Sequence, residues 1–128
     1  MTSKTKAQKP TLIHPRKSTQ GLPAPTTPDL PNNTLSIGSG QGEFEVHLKT
    51  HLYKDDYLTF YFQTYDAKGN KGSLWYLGHG IPLEDTDHIS FKVVSEVFKP
   101  VIGGTVVISY SVAGTAGPSA EHTITVVA

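Results

Sequence analysis

The sequence predicts an all-β protein, built as an antiparallel β-sandwich of about seven strands. The first observation is the segment Asp56–Tyr65, whose residues alternate strictly between apolar and more polar types, as in a strand with one dry face. The second is a series of similar short segments, spaced roughly 8–15 residues apart, which is typical of sandwiches and barrels. The third is that no stretch shows helical periodicity long enough for an α-helix. Hairpin-length connections between the segments predict antiparallel pairing.

The first three strands are expected before residue 66. Thr34–Ile37 alternates over a short length, as an edge strand does, and the glycine-rich run 38–42 ends it. Glu43–Leu52 alternates again, and the turn Lys54–Asp56 leads into the aromatic strand, whose ring-bearing residues suit a half-buried pleated surface. The side chains expected to point inward are Phe44, Val46, Leu48, Leu58, Phe60 and Phe62.

Four further strands are expected in the second half. Asp66–Gly72 has the composition of a hairpin loop, and the strand Ser73–Leu77 after it is expected to end at Gly78-His79-Gly80. The other strands are His88–Val94, Thr105–Ala113 and His122–Val126, with an acidic connection at 81–87, a loop at 114–118, and one helical turn at most in Ser95–Gly104. Their inward residues are Ile89, Phe91, Val93, Val106, Ile108, Tyr110, Val112, Ile124 and Val126.

Two regions are expected, an extended or disordered arm at residues 1–30 and a β domain at residues 31–128. Six of the nine prolines lie between Pro10 and Pro31, which disfavours both helix and central strand there. Five of the 11 Lys and Arg precede Asp29 and no acid does, so the rest carries six bases against 11 acids, a formal charge of −5. These bases are sparse and have no aromatic residues between them, so the arm is not expected to bind nucleic acid.

The compartment is left open by the sequence. The longest apolar run before Leu35 is Leu12-Ile13, which does not form the core of a cleaved secretory signal. No stretch approaches the roughly 20 apolar residues of a membrane span, so a soluble chain is expected. It would be cytoplasmic, exported without a cleaved leader, or part of a longer protein.

No catalytic constellation or cofactor motif stands out, and a non-enzyme without cofactors is expected. The chain has no cysteine, which excludes disulfides, a thiolate nucleophile and cysteine-ligated zinc. Gly38-Ser39-Gly40 lacks the strand-to-helix setting of a catalytic serine. Glu43 and Glu45 share a face but point outward, so they do not form a buried carboxylate pair.

Metal binding is not expected either. Among six histidines, His47 and His51 share a strand face but lie too far apart, whereas cross-strand pairing of His47 with His88 or His122 is conceivable. The loop Asp66–Asn70 has too few acids for calcium and is predicted to be a plain hairpin loop. Glu84, Asp85 and Asp87 are interpreted as a solvated acidic loop rather than as cation ligands.

The region from Lys54 to Ala128 resembles the immunoglobulin-like repeat modules of bacterial surface proteins. Asp55-Asp56 stands where those modules have Gly-Asp, and Tyr61-Phe62 stands where they have Tyr-Trp. The later parts of the pattern match Ile89–Val93, Val106–Val112, Ser119 and Thr123–Val126. The resemblance implies an immunoglobulin-like or fibronectin-III-like β-sandwich. It implies a structural or interaction role in a bacterial assembly rather than an activity.

Exposed aromatic residues give the candidate binding site. If Leu58, Phe60 and Phe62 face inward, Tyr57 and Tyr61 face outward, together with either Trp75 or the Leu74/Tyr76 pair from the neighbouring strand. The residues expected to bind a partner are Tyr57, Tyr61, Trp75 and Tyr76. Outward aromatics on adjacent strands suit a protein partner, including a second copy of the chain, or a sugar ring. The alternatives are therefore a protein-interaction module, a carbohydrate-binding module and, given the basic arm, a small leaderless toxin or effector.

Overall fold

A computed structural model describes residues 22–80, 84–113 and 119–128, which contain seven β-strands and three short 3₁₀ segments. The strands are β1 (Thr34–Ser36), β2 (Glu43–Leu52), β3 (Tyr57–Tyr65), β4 (Lys71–Gly80), β5 (Thr86–Val94), β6 (Thr105–Val112) and β7 (His122–Val127). The 3₁₀ segments are Pro31–Asn33, Ile37–Ser39 and Ser95–Val101. The all-β prediction is confirmed. The connection between β5 and β6, where one helical turn was expected, contains a seven-residue 3₁₀ segment, which is about two turns. The predicted loop at 114–118 lies outside the described residues.

The strands form two sheets. One has five strands in the order β1-β7-β6-β3-β4, and the other pairs β2 with β5. All neighbours are antiparallel except β1 and β7, which run parallel with Leu35 opposite Val126. The expectation of purely antiparallel pairing is therefore wrong for this pair. β1 and β7 lie near opposite ends of the chain, so no hairpin turn fixes their relative direction.

Strand β3 lies inside the five-stranded sheet, between β4 and β6. Its inward residues Leu58, Phe60 and Phe62 are at most 3% exposed, as the alternation predicted. Inward residues of the other strands join them in one buried cluster, whose members on β6 and β7 are Val106, Ile108, Tyr110, Val112, Ile124 and Val126. The dry face expected from the sequence is thus the core face of this sheet.

The two sheets contribute to the same core. The Phe60 ring on β3 lies 4.8 Å from the Phe91 ring on β5, edge to face. Phe98, in the 3₁₀ segment after β5, lies 6.1 Å from Phe62 and 6.3 Å from Phe44 on β2. These ring contacts join β2, β3 and the chain after β5.

Residues 22–30, which the sequence analysis assigned to the arm, pack against the β domain. Thr26 exchanges two backbone hydrogen bonds of 2.8 Å with His47 on β2, and Leu30 is buried in the core. The buried Tyr110 hydroxyl donates a 3.0 Å hydrogen bond to the carbonyl of Pro23. This segment therefore covers the edge of β2 that faces away from β5.

The second half of the chain departs from the predictions in two places. Strand β4 was expected to end before Gly78, but its pairing with β3 continues to Gly80, opposite Tyr57. On β5 only Ile89 is fully buried, whereas Phe91 and Val93 are partly exposed. Both differences occur in β4 and β5, each of which is an edge strand of its sheet. None of the helical segments in the described ranges has the length and apolar character needed to cross a membrane.

Candidate binding surface

Strand β4 is the outer strand of the five-stranded sheet and is exposed on both faces. It is paired to β3 on one side, with Tyr76 opposite Tyr61 and Trp75 opposite Phe62. Residues opposite each other in an antiparallel pair point to the same face. Tyr76 therefore lies on the outer face with Tyr61, whereas Trp75 lies on the core-facing side with Phe62. The four consecutive large residues Leu74–Leu77 are all classed as exposed.

The predicted site residues are therefore divided between two faces. Tyr57, Tyr61 and Tyr76 share the outer face, and of the two alternatives for β4 the structure has the Leu74/Tyr76 pair outward. The expectation that Trp75 joins Tyr57 and Tyr61 on one face is wrong. The direction of the Trp75 side chain is fixed by its position opposite Phe62. This register between β3 and β4 cannot be deduced from the sequence of β4 alone.

The three tyrosines of the outer face are held in defined positions. The Tyr61 and Tyr76 rings lie 5.6 Å apart at 72°, and the Tyr61 hydroxyl shares a 3.0 Å hydrogen bond with Ser111 on β6. The Tyr57 ring crosses Gly78, where a Cβ would overlap its hydroxyl, so glycine is required for this packing. Tyr57 remains 51% exposed and Tyr76 66% exposed. The outer face thus presents ordered, accessible rings.

An open groove lies on the other side of β4. It has a volume of about 230 Å³ and runs between β4 and the chain from β5 to the 3₁₀ segment. Its main apolar lining residues are Phe62, Trp75, Leu77, Val93, Val97 and Phe98. The second sheet has only two strands, and the described chain covers the inward side of β4 only in part, as where the His79 ring lies 6.0 Å from the Phe91 ring. Trp75 is consequently 46% exposed despite its core-facing direction.

The groove residues on and after β5 were missed by the sequence reasoning. One available signal was the run Leu74-Trp75-Tyr76-Leu77, which is apolar on both strand faces instead of alternating. Such a run indicates either a strand buried on both sides or one that meets a partner. The exposed Val94 at the end of β5 is a second signal of the same kind.

Charge is distributed unequally between the two sheets. In the five-stranded sheet, Lys71 at the start of β4 is the only Lys, Arg, Asp or Glu within the strands. The two-stranded sheet carries Glu43, Glu45, Lys49, Asp87 and Lys92 in its strands. The outer aromatic surface therefore carries little charge, with Lys71 at one end of β4, while Lys92 lines the groove on the other side. It favours a partner surface that is also largely uncharged.

The histidines form local hydrogen bonds rather than a site. His47 Nδ1 and His88 Nε2 share a 2.9 Å hydrogen bond, the cross-strand pairing that the sequence allowed, and His47 Nε2 is 2.7 Å from Glu45. His122 instead pairs with Thr27 at 2.8 Å, and its partial burial lowers its pKa. No group of three or more metal-ligating side chains is present among the described residues.

The acidic loops are held by local contacts. The Asp66 carboxylate accepts backbone hydrogen bonds from Asn70 at 2.8 Å and Lys68 at 2.9 Å, and these contacts, the Asn70 one foremost, lower its pKa. Asp85 accepts from the Lys54 N–H at 2.8 Å, and Asp87 pairs with His51 at 3.0 Å. Asp66 thus closes the β3–β4 hairpin, whereas Asp85 and Asp87 tie the chain at the start of β5 to the end of β2 and the turn after it.

Comparisons with known proteins give no relative: no family model matches the chain, and neither a curated protein nor a solved structure is significantly similar to it.

Proposed function

We propose that this chain is a non-catalytic protein-interaction module with an immunoglobulin-like β-sandwich, serving as a structural accessory in a bacterial assembly. The observation that carries the functional part is the exposure of β4 on both faces. Such a strand has four large exposed residues, no paired neighbour on one side among the described strands, and Lys71 as its one charged residue, which is typical of an interface rather than of an ordinary solvent-facing strand.

The strand order supports the immunoglobulin-like part. In the constant-type arrangement, the first, second and fifth strands (A, B and E) share one sheet and the third, sixth and seventh (C, F and G) share the other. Here the Thr26 segment bridges to β2, which pairs with β5, while β3, β6 and β7 are neighbours in the larger sheet. β4 extends that sheet beyond β3, as an additional edge strand does in variable-type domains.

The ring geometry favours a protein partner over a carbohydrate. A sugar ring stacks on an aromatic face, and an extended glycan needs several faces in one plane. Tyr61 and Tyr76 are inclined at 72° to each other, and Trp75 points to the opposite side of the sheet. The surface therefore suits a protein of complementary shape better than a sugar, which needs a flat aromatic face to stack on.

Site-specific photo-cross-linking tests the proposal. p-Benzoylphenylalanine would replace Tyr76 in the full chain, expressed in the cell that produces it, with the same replacement at Val127 as the matched control. Val127 is also an exposed hydrophobic residue of the five-stranded sheet, but it lies on β7, which has neighbours on both sides. We expect covalent protein adducts from position 76 and not from position 127. No adduct at position 76, or the same adducts at both positions, would overturn the proposal.

A glycan array tests the carbohydrate alternative directly. Binding that is lost in Tyr61→Ala without a change in melting temperature would replace the protein-interaction proposal with a carbohydrate-binding one. We expect no glycan to bind.

A further inference from the structure

The described strands leave three edges without a paired neighbour, and only β4 lacks the usual protection. β1 is three residues long, too short to recruit another strand. β5 carries Asp87, His88 and Lys92 along its length, and such charges oppose edge-to-edge pairing. β4 spans ten residues, and from Leu74 to Gly80 it pairs regularly with β3 and contains no Lys, Arg, Asp or Glu. An edge of this kind is a template for another strand.

We propose that the partner of this edge is a second copy of the chain, bound by antiparallel pairing of β4 with β4 about a two-fold axis. This inference rests on the proposed function and names its partner. The pairing joins the two five-stranded sheets into one continuous sheet of ten strands. It also satisfies the free backbone donors and acceptors along both edges, which a purely side-chain contact would leave to water.

The sequence of β4 selects a position for the axis. In a two-fold antiparallel pair, residues equally distant from the axis lie opposite each other and share a face. An axis at Tyr76 sets each Trp75 beside the second copy's Leu77 on the groove side, and sets the two Tyr76 rings side by side on the outer face. An axis at Trp75 would set the two Trp75 rings side by side, with Leu74 opposite Tyr76 and Ser73 opposite Leu77, whereas an axis at Leu77 would set Trp75 opposite His79. The Tyr76 and Trp75 axes each join three pairs of large side chains, and we place the axis at Tyr76 because this is the most exposed residue of the strand.

The exposed area is that of a reversible dimer. The exposed fractions are 66% for Tyr76, 51% for Val94, 46% for Trp75, 39% for Leu74 and 37% for Leu77. With about 150–250 Å² for a whole aromatic side chain and less for Leu and Val, these parts amount to at most roughly 450 Å² per copy, since edge pairing leaves part of each sheet face open. Two copies with their edge backbone then bury no more than about 1,000–1,200 Å², at or below the lower end of the range for specific interfaces. Permanent dimers bury about 2,000 Å² or more, so association is expected to depend on concentration.

A charge swap at the axis tests the pairing. Tyr76→Lys places two lysines directly opposite each other in the dimer, and Tyr76→Glu does the same with two carboxylates, so each variant repels its own copy. Tyr76 is 66% exposed, so neither change disturbs the core. Mixing the two variants brings Lys opposite Glu and restores an attractive pair. Val127→Lys is the control for adding a charge elsewhere on the sheet.

Sedimentation equilibrium of the full chain at concentrations up to about 1 mM gives the readout. We expect the unsubstituted chain and Val127→Lys to dimerise, each Tyr76 variant to have a dissociation constant at least about tenfold higher, and the equimolar mixture to recover most of the loss. A monomer at all concentrations, or variants that dimerise as well as the unsubstituted chain, would overturn the proposal. A mixture that stays monomeric would overturn the axis at Tyr76.

The cross-linking experiment distinguishes failure of the β4–β4 pairing from failure of the proposed function. Adducts from position 76 that contain only other proteins would retain the interaction module and reject the second copy as its partner. Adducts with the mass of two chains support self-pairing. Absence of any adduct together with a monomeric chain would reject both proposals.

Discussion

Strands β3 and β4 are neighbours in one sheet and are joined by a short hairpin, yet their environments differ completely. On β3 every inward residue from Leu58 to Thr64 is buried. On β4 nine of ten residues are exposed, and the remaining one, His79, is only half-buried. Sequence alternation alone does not account for this contrast, since Trp75 and Leu77 point toward the same side as Phe62 and Phe60.

The difference comes from the width of the opposing sheet. β3 faces β5 and the 3₁₀ segment after it, and the Phe60–Phe91 contact closes the space between the two sheets. β4 lies one strand further out, where the contact with β5 is limited to places such as the His79–Phe91 ring pair. A side chain is buried only where a second layer covers it, so the same inward direction gives core on β3 and groove on β4.

The largest expected effect is a difference in stability loss between alanine substitutions at two residues that lie directly opposite each other, Phe60 on β3 and Leu77 on β4. Phe60→Ala leaves a cavity in a fully buried site and should lower the free energy of unfolding by about 3–5 kcal/mol. Leu77→Ala removes a side chain that is 37% exposed, so its loss should be about 1 kcal/mol. Urea denaturation of both variants measures the difference. Equal losses of stability in the two variants would mean that β4 is covered in solution, as it would be in a dimer. If a dimer is the cause, the loss in Leu77→Ala should become smaller when the measurement is repeated at lower protein concentration.

A smaller loss of stability is expected where the segment before β1 packs against the β domain. Tyr110→Phe removes the hydrogen bond to the Pro23 carbonyl and should cost about 1 kcal/mol. Amide hydrogen exchange at Thr26, which bonds to His47, should become faster. Tyr61→Phe is the matched control, because its hydroxyl bonds to Ser111 in a more exposed place, and it should change stability less. A Tyr110→Phe chain as stable as the unsubstituted one would show that this segment is held by apolar contacts alone.

The smallest effect is a pH dependence on the same side. Partial burial lowers the folded-state pKa of His122 below its ordinary value of 6.5, so the folded state binds this proton less readily than the unfolded state. The resulting contribution to stability is complete above pH about 6.5 and is lost as the pH falls through the folded pKa. Thermal melts of the unsubstituted chain should therefore show a larger drop between pH 7.5 and 5.5 than those of His122→Gln. Parallel curves would contradict this assignment.

Much of the fold followed from residue patterns. The alternation of apolar and polar residues in Glu43–Leu52, Tyr57–Tyr65 and Thr105–Val112 predicted both the strands and their inward-facing residues. This is possible because successive side chains of a pleated strand point to opposite faces. The predicted bounds of β4 were wrong, since glycine often ends a strand, whereas Gly78 here lies within the strand and provides room for the Tyr57 ring. The parallel pairing of β1 with β7 was also missed, because it joins segments about 90 residues apart.

The candidate site could be predicted only in part. The tyrosines of β3 followed from alternation within one strand, whereas the direction of Trp75 depended on the register between two strands. The run Leu74–Leu77 signals that β4 is unusual, but the groove itself could not be predicted, because its walls come from three separate segments, β4, β5 and the 3₁₀ segment.

The amino-acid sequence by itself determined that this chain folds as strands, which residues of most strands are apolar, and that charge is excluded from β3, β4, β6 and β7 apart from Lys71. These are local properties, set by side-chain chemistry and the two-residue period of a pleated backbone. Only the tertiary structure decided which strand ends the sheet, and that Trp75 and Tyr76 lie on opposite faces of it. Burial and edge position depend on what packs from elsewhere in the chain, and no residue carries that information alone.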